Sequence, residues 1–320
     1  MFENFIFSAN VVIPVFIMIS IGWVLRRTKA ISESFVNESN KLMFYFGLPV
    51  MLFSQISKAD FSTVFDLNLV VFVVLVTLVV FFLLIIYAKN FIKNRTLHGS
   101  FIQGGFRGNY ALIGLPLSIN LFGQEAVARS SVLLAIIVLA YNVLAVVILE
   151  HCSSTRIIHD TFFLRVKALL IFLLKNPLFM SILIALPFSL LKIQLPVLIT
   201  KPMDYIGNLA IPLSLIGIGG AFQFEHAKST MSLSVLAALI KTAITPIIFI
   251  PMAVLFGFRG MNLGIIAVLL TAPTAVNSFI MAKETGNDSH LAGSIILISS
   301  VLSLFTAFLS VYILKELCYI

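Results

Sequence analysis

Gly104-Gly105-Phe106-Arg107-Gly108-Asn109-Tyr110-Ala111-Leu112-Ile113-Gly114-Leu115-Pro116 decides how this chain is read. The stretch lies inside an apolar run long enough to cross a membrane, yet it holds an arginine, an asparagine, several glycines and a proline. A continuous spanning helix avoids that mixture, because freed backbone groups and buried charge are expensive in hydrocarbon. A helix interrupted at mid-membrane, with its backbone turned toward a polar cavity, uses it. A second stretch of this kind, Thr271-Ala272-Pro273-Thr274-Ala275-Val276-Asn277-Ser278, lies far downstream. The two are read as partners.

Composition sets the medium in which they work. Hydrophobic residues make up 60% of the 320 and charged residues 11%, well below the usual charged share of soluble domains. The mean hydropathy is +1.10. An all-α polytopic membrane protein follows, since a membrane barrel shows short alternating segments instead. The first apolar run extends to Leu25 and is followed, not preceded, by Arg26, Arg27 and Lys29, so it is read as a retained span rather than a cleaved leader. The net charge of +8 is assigned to cytoplasmic loops and not to nucleic-acid binding. Cys152 and Cys318 are too few for a disulfide framework or a zinc site. His151, His159, His226 and His290 fall in loops without metal-ligand spacing, so no metal is expected.

Ten runs approach the spanning length of about 20 residues. They cover about 5–25, 40–57, 66–88, 97–121, 128–149, 176–192, 204–223, 231–257, 261–282 and 289–315. A polar connection from Glu150 to Lys175 separates the fifth from the sixth, and its part Phe162–Leu174 reads as an interfacial amphipathic helix. Basic residues set the orientation. With the N-terminus outside, the inner side holds Arg26, Arg27, Lys29, Lys41, Lys89, Lys93, Arg95, Arg156, Arg165, Lys167, Lys175, Lys228 and Lys283. The outer side holds only Lys58, Arg129, Lys192, Lys201, Arg259 and Lys315. Both termini are therefore expected outside the cytoplasm, in a multi-pass protein of the cytoplasmic (inner) membrane.

The chain also repeats itself. Pro14 and Pro177 lie 163 residues apart, and so do Pro49 and Pro212. At the same offset Gly123-Gln124-Glu125 matches Gly286-Asn287-Asp288, and Ser131-Val132-Leu133-Leu134 matches Ser294-Ile295-Ile296-Leu297. Each half has an odd number of spans, so the second enters the membrane from the opposite side. The organisation is then a first repeat at 1–150, a cytoplasmic connection at 151–175 and a second, inverted repeat at 176–320. Its fourth and ninth helices are broken, at Gly108-Asn109 and Ala272-Pro273, and cross near the bilayer centre. Pro273 removes a donor, and Gly108 is read as permitting a backbone other residues resist.

Arg107-Gly108-Asn109-Tyr110-Ala111-Leu112-Ile113-Gly114-Leu115-Pro116 resembles the fourth helix of the auxin efflux carrier family. Ala272-Pro273-Thr274-Ala275-Val276-Asn277-Ser278, followed by Ala282-Lys283-Glu284, is similar to the matching part of its ninth helix. Phe46-Gly47-Leu48-Pro49 and Lys175-Asn176-Pro177 resemble its patterns in helices two and six. The resemblance implies ten helices in two inverted repeats, a scaffold and a transport domain that move against each other, and small organic anions as substrates, as for the bacterial malate and malonate permeases. The short central connection is like that of bacterial members. Plant members carry an Asp and a Lys one turn apart in helix three, whereas Leu67 to Ala88 here holds no ionisable residue except Tyr87.

The candidate substrate-binding set is Asn109, Arg107, Gly108, Tyr110, Ala272, Pro273, Thr274, Asn277, Ser278 and Ser54. Asn109 can donate its amide to a carboxylate, or cap the second half-helix. Arg107 lies about 15 Å below Leu97 at 1.5 Å per residue, too deep to snorkel, and either pairs with an anion or ties helices together. Lys241, whose counterpart in the first repeat is Leu78, is either a coupling group or a donor to backbone carbonyls of a broken helix. Ser54 and Gln55 either approach the crossing or end a helix in water. Tyr141-Asn142 and Ser299, Ser300 and Ser303 either line the cavity or glue helices together.

Three function classes follow. The leading one is a secondary transporter of a small mono- or dicarboxylate, such as malate or malonate, without a cofactor, driven by a proton or sodium gradient or acting as a facilitator. An enzyme is not expected, because no paired carboxylates, zinc motif or activated nucleophile lie at depth. A membrane sensor retaining the fold is the alternative. The bilayer and the substrate are the expected partners, with a homodimer left open.

Overall fold

The computed structural model describes residues 2–58, 65–123, 125–153, 174, 177–221 and 230–320. Among the described residues there is no β-strand, and the pairing outside helices is one isolated antiparallel bridge, Gly108 with Thr274. The expected amphipathic helix at Phe162–Leu174, the match through Gln124, and the motif residues Lys175 and Asn176 fall wholly or partly outside the described residues.

The helices follow the apolar runs. Helix α1 spans Phe2–Arg27. Helix α2, Glu33–Leu42, passes through a π turn at Met43–Gly47 into α3, Leu48–Lys58. Helix α4 is Leu67–Phe91. Helix α5, Arg95–Phe106, stops; a π turn at Tyr110–Gly114 then leads into α6, Leu115–Phe122. Helix α7 is Glu125–Cys152, α8 is Pro177–Leu190 and α9 is Val197–Gly220. Helix α10, Met231–Leu239, continues through a π turn at Ile240–Ile244 into α11, Thr245–Leu255. Helix α12, Gly260–Thr271, stops; α13 is Asn277–Glu284 and α14 is Ser289–Glu316.

Five of these runs are long and apolar enough to cross a membrane: α1, α4, α7, α10 with α11, and α14. Helix α4 shows why the surrounding medium is lipid. Leu67, Val71, Leu75, Val79, Phe82, Leu83 and Ile86 form an exposed stripe, while Leu69, Val73, Val76, Val80 and Leu84 are buried on the other side. A helix apolar on every face has no surface suited to water.

Two boundaries differ from the sequence reading. Helix α9 begins at Val197, a turn or more before the expected start at 204, and runs through Pro202 and Pro212. Prolines are read as breakers from sequence, yet membrane helices tolerate them because neighbouring groups satisfy the freed carbonyls. The second run is preceded by α2, whose cap Ser32 accepts from the Phe35 amide at 3.0 Å.

Polar contacts tie the two ends of the bundle. At one end Asn262 donates to Asp66 at 2.6 Å and accepts from Arg129 at 2.5 Å. Both termini reach this end: the Gly260 amide donates to the Tyr319 carbonyl at 2.7 Å, and Phe5 packs edge-on to Phe308 with centroids 5.2 Å apart. At the other end Ser100 donates to the Asp288 carbonyl at 2.6 Å, and Asn287 to the Leu149 carbonyl at 3.0 Å. The most extensive helix pairings are α1 with α9 and α3 with α8. Gly22 and Gly219 lie at the α1–α9 contact, where an added Cβ would run into the facing backbone. Small residues let membrane helices approach this closely.

Candidate functional site at the crossing

Both interrupted helices break where the sequence places the breaks, and the breaks meet. The Asn109 amide donates to the Pro273 carbonyl at 2.6 Å, and the Ala275 amide donates to the Arg107 carbonyl at 3.1 Å. The unwound segments therefore satisfy each other as a two-rung antiparallel ribbon, which is the condition for irregular backbone at membrane depth. Thr274 clasps it: its hydroxyl donates to the Gly104 carbonyl at 2.7 Å, and its amide donates to Ser299 Oγ at 3.0 Å. The ribbon brings the C-terminal ends of α5 and α12 together with the starts of the segments that follow them.

Gly108 serves a different purpose from the one read in the sequence. Its φ is not positive, since the glycines in that region are Gly123, Gly257, Gly260 and Gly286. An added Cβ at Gly108 would instead sit 3.1 Å from Lys241 Cε and 3.3 Å from its Nζ. The glycine makes room for the lysine.

Two cations flank the ribbon. Arg107 is 6% exposed; its guanidinium donates to Asn142 Oδ1 at 2.8 Å and to the Met281 sulfur. Lys241 is 2% exposed and donates to the carbonyls of Leu270 at 2.8 Å and Leu269 at 3.4 Å. Among the buried described residues these are the two charged side chains, and no Asp or Glu accompanies them. Neutral dipoles alone leave buried charge under-compensated.

Asn109 is 6% exposed, makes no side-chain cap on the turn that follows, and its Nδ2 has no partner. A buried amide without an acceptor costs about 1–3 kcal/mol. Ser278 Oγ is likewise buried and unpartnered. Tyr110 is 1% exposed and its hydroxyl lies beside Ser118 and Ser130, while Ala272 is 1% exposed. Asn277 is half-buried at the start of α13. Ser54 is not brought to the crossing: its hydroxyl donates to Asp204 of α9 at 3.0 Å, beside the Lys58–Asp204 ion pair at 2.7 Å. Ser300 and Ser303 donate to carbonyls of their own helix.

A cavity of about 10 Å³ lies beside Lys241, with Thr77, Tyr141 and Thr245 among its lining residues. That is room for roughly one water, far below the several hundred Å³ of an organic-ligand pocket. A bound organic molecule would need the surrounding helices to separate. Thr77, Gln103 and Met281 were not singled out in the sequence. Gln103, one turn before Arg107 and fully buried, carried the clearer signal: a polar side chain inside an apolar run.

Interrupted helices crossing back to back inside an apolar bundle define a membrane transporter. The comparisons agree: the family described as membrane transport protein matches residues 7–312, and the chain belongs to it, the auxin efflux carrier family. It is 22% identical over 307 residues to an uncharacterized transporter of Methanothermobacter thermautotrophicus, covering 94% of this chain and 96% of that one. It is 25% identical over 301 residues to an uncharacterized transporter of Methanocaldococcus jannaschii, covering 92% and 95%. It is 20% identical over 310 residues to a Rhizobium meliloti protein named "Putative malonate transporter", covering 96% of each chain. The chain is a transporter and not an enzyme.

Proposed function

We propose that this protein is a secondary transporter that moves a small mono- or dicarboxylate, of the malonate or malate kind, across the cytoplasmic membrane. The observation that carries the reading is the pair Arg107 and Lys241, buried on either side of the crossing without a carboxylate among the buried described residues. A bound anion neutralises them, and Asn109 supplies an amide with no acceptor of its own. In this reading Arg107, Gly108, Asn109, Tyr110, Ala272, Pro273, Thr274, Asn277 and Ser278 form the binding region. Arg107 and Asn109 contact the carboxylate, Thr274 holds the ribbon closed, and Ser54 belongs to the scaffold. The name of the Rhizobium meliloti relative supports the substrate class.

Ten spans in two inverted repeats fit the packing. Helix α1 lies on α9 and α8 on α3, and these two pairings exchange under the 163-residue offset. The four form a scaffold, and the two crossing helices with α4, α7, α10, α11 and α14 form the moving unit of an elevator-like cycle. The end that gathers both termini is assigned to the outside by the basic-residue count.

Uptake of labelled malonate and malate into proteoliposomes, with and without proton or sodium gradients, tests this. Saturable flux above protein-free vesicles is expected. Binding without flux would favour the sensor.

A further inference from the structure

The end of α12 has a carbonyl problem that its sequence creates. In an α-helix the Leu269 carbonyl would accept from residue 273, which is proline and has no N–H. The Leu270 carbonyl would accept from Thr274, whose amide is committed to Ser299 Oγ at 3.0 Å. The last closed rung is Ala272 to Val268 at 3.0 Å. The Leu269 and Leu270 oxygens are thus among the carbonyls left without a helical partner at the negative end of the helix dipole, in a buried place. Half-helix ends of this kind are where transporters with broken helices coordinate a monovalent cation.

Here that position is filled from within the chain. Lys241 donates to the Leu270 and Leu269 oxygens, at 2.8 and 3.4 Å respectively. It projects from the π turn at Ile240–Ile244, a widened turn closed by Thr245 Oγ1 donating to the Ile240 carbonyl at 2.7 Å. Gly108 leaves it space across the ribbon. The water-sized cavity beside it is lined by Thr77, Tyr141 and Thr245 together with apolar Val76, Val80 and Phe106, and holds no carboxylate. Oxygen dipoles with no carboxylate are the donor set of a hard monovalent cation, and an ammonium satisfies the same set.

We propose that Lys241 is the resident cation of the crossing, a tethered ammonium that takes the place of a soluble sodium ion and moves with the broken helices. The inference rests on the transporter reading for its role in the cycle, although the site itself is defined by geometry. It makes transport independent of sodium and gives an arriving anion a fixed positive charge beside the ribbon.

Thermal unfolding of the purified full-length protein reads the site without any substrate. For the wild type, replacing choline chloride by sodium chloride should leave the midpoint unchanged. In Lys241→Ala the midpoint should fall, and sodium or methylammonium chloride should raise it relative to choline. A sodium-specific rise in the wild type would reveal a separate ion site and overturn the proposal, and so would an alanine variant indifferent to both cations. If the alanine variant does not fold, Lys241→Gln keeps one donor for the Leu270 carbonyl. Folded glutamine variant should lose about tenfold or more in flux, the equivalent of about 1.4 kcal/mol; wild-type flux in it would overturn the proposal. Wild-type vesicles that take up no carboxylate, while the salt responses are as described, would remove the transport reading and leave the cation site standing.

Discussion

The main-chain amide of Asn109 donates to the carbonyl of Pro273 at 2.6 Å, joining the midpoints of two helices from opposite halves of the chain. That bond and its partner from Ala275 to Arg107 let each helix stop inside an apolar bundle without stranding its backbone. Everything chemical at the crossing follows from the stops. They expose half-helix ends, bring Asn109 out of helical register and leave carbonyls for Lys241.

Removing the Asn109 amide should remove substrate affinity and spare the fold. Asn109→Ala deletes a group that makes no protein hydrogen bond through Nδ2, so stability should hold or rise slightly. Binding of a transported carboxylate should weaken by roughly 10–100-fold, the value of about 1.5–3 kcal/mol for a hydrogen bond to a charged group. Isothermal titration beside a thermal melt checks both halves.

Pro273→Ala supplies the N–H that the Leu269 carbonyl lacks, and so competes with Lys241 for it. Transport should fall by more than any loss in melting temperature accounts for. Wild-type rates in this variant would mean that the break does not depend on the proline.

Thr274→Val should destabilise by about 1–2 kcal/mol, because it deletes the 2.7 Å bond to Gly104 and leaves a buried carbonyl one partner short. Thr274→Ser keeps the hydroxyl and should recover most of the loss. Thermal melts of the two variants side by side give the comparison.

Gly108→Ala places a methyl 3.1 Å from Lys241 Cε, tighter than ordinary contact, so the lysine must shift by a few tenths of an ångström. Overpacking of this kind costs about 1–3 kcal/mol. Flux should drop several-fold. A larger side chain, Gly108→Val, should drop it further, and uptake rates normalised to folded protein would show the gradation.

Much of this architecture was legible in the sequence because it is written in residues that hydrocarbon otherwise excludes. Pro273, Asn109 and the glycines around them could be located without coordinates, since an apolar run has no other use for them. Partner choice was not legible. Nothing in the sequence links Arg107 to Asn142 and Met281; for Lys241 the sequence offers the carbonyls of a broken helix as one alternative, and that these are Leu269 and Leu270 depends on how helices from different segments come together. Gly108 was found for the wrong reason: its role is space for a neighbour, which only packing reveals. Ser54 meets Asp204 of α9, at the point where the sequence places the start of that helix, and nothing in the sequence links the two residues.

The central claim is that the crossing is where the anion binds, reached alternately from the two sides of the membrane. Ser278 offers the most direct probe, being buried with a hydroxyl that has no partner, so Ser278→Cys is a small change. In a background with Cys152→Ser and Cys318→Ser, a membrane-impermeant thiol reagent should modify position 278 when applied from either side, and a transported carboxylate should slow that reaction. A thiol there that reacts from neither side, or at a rate the transported anion leaves unchanged, would contradict the account.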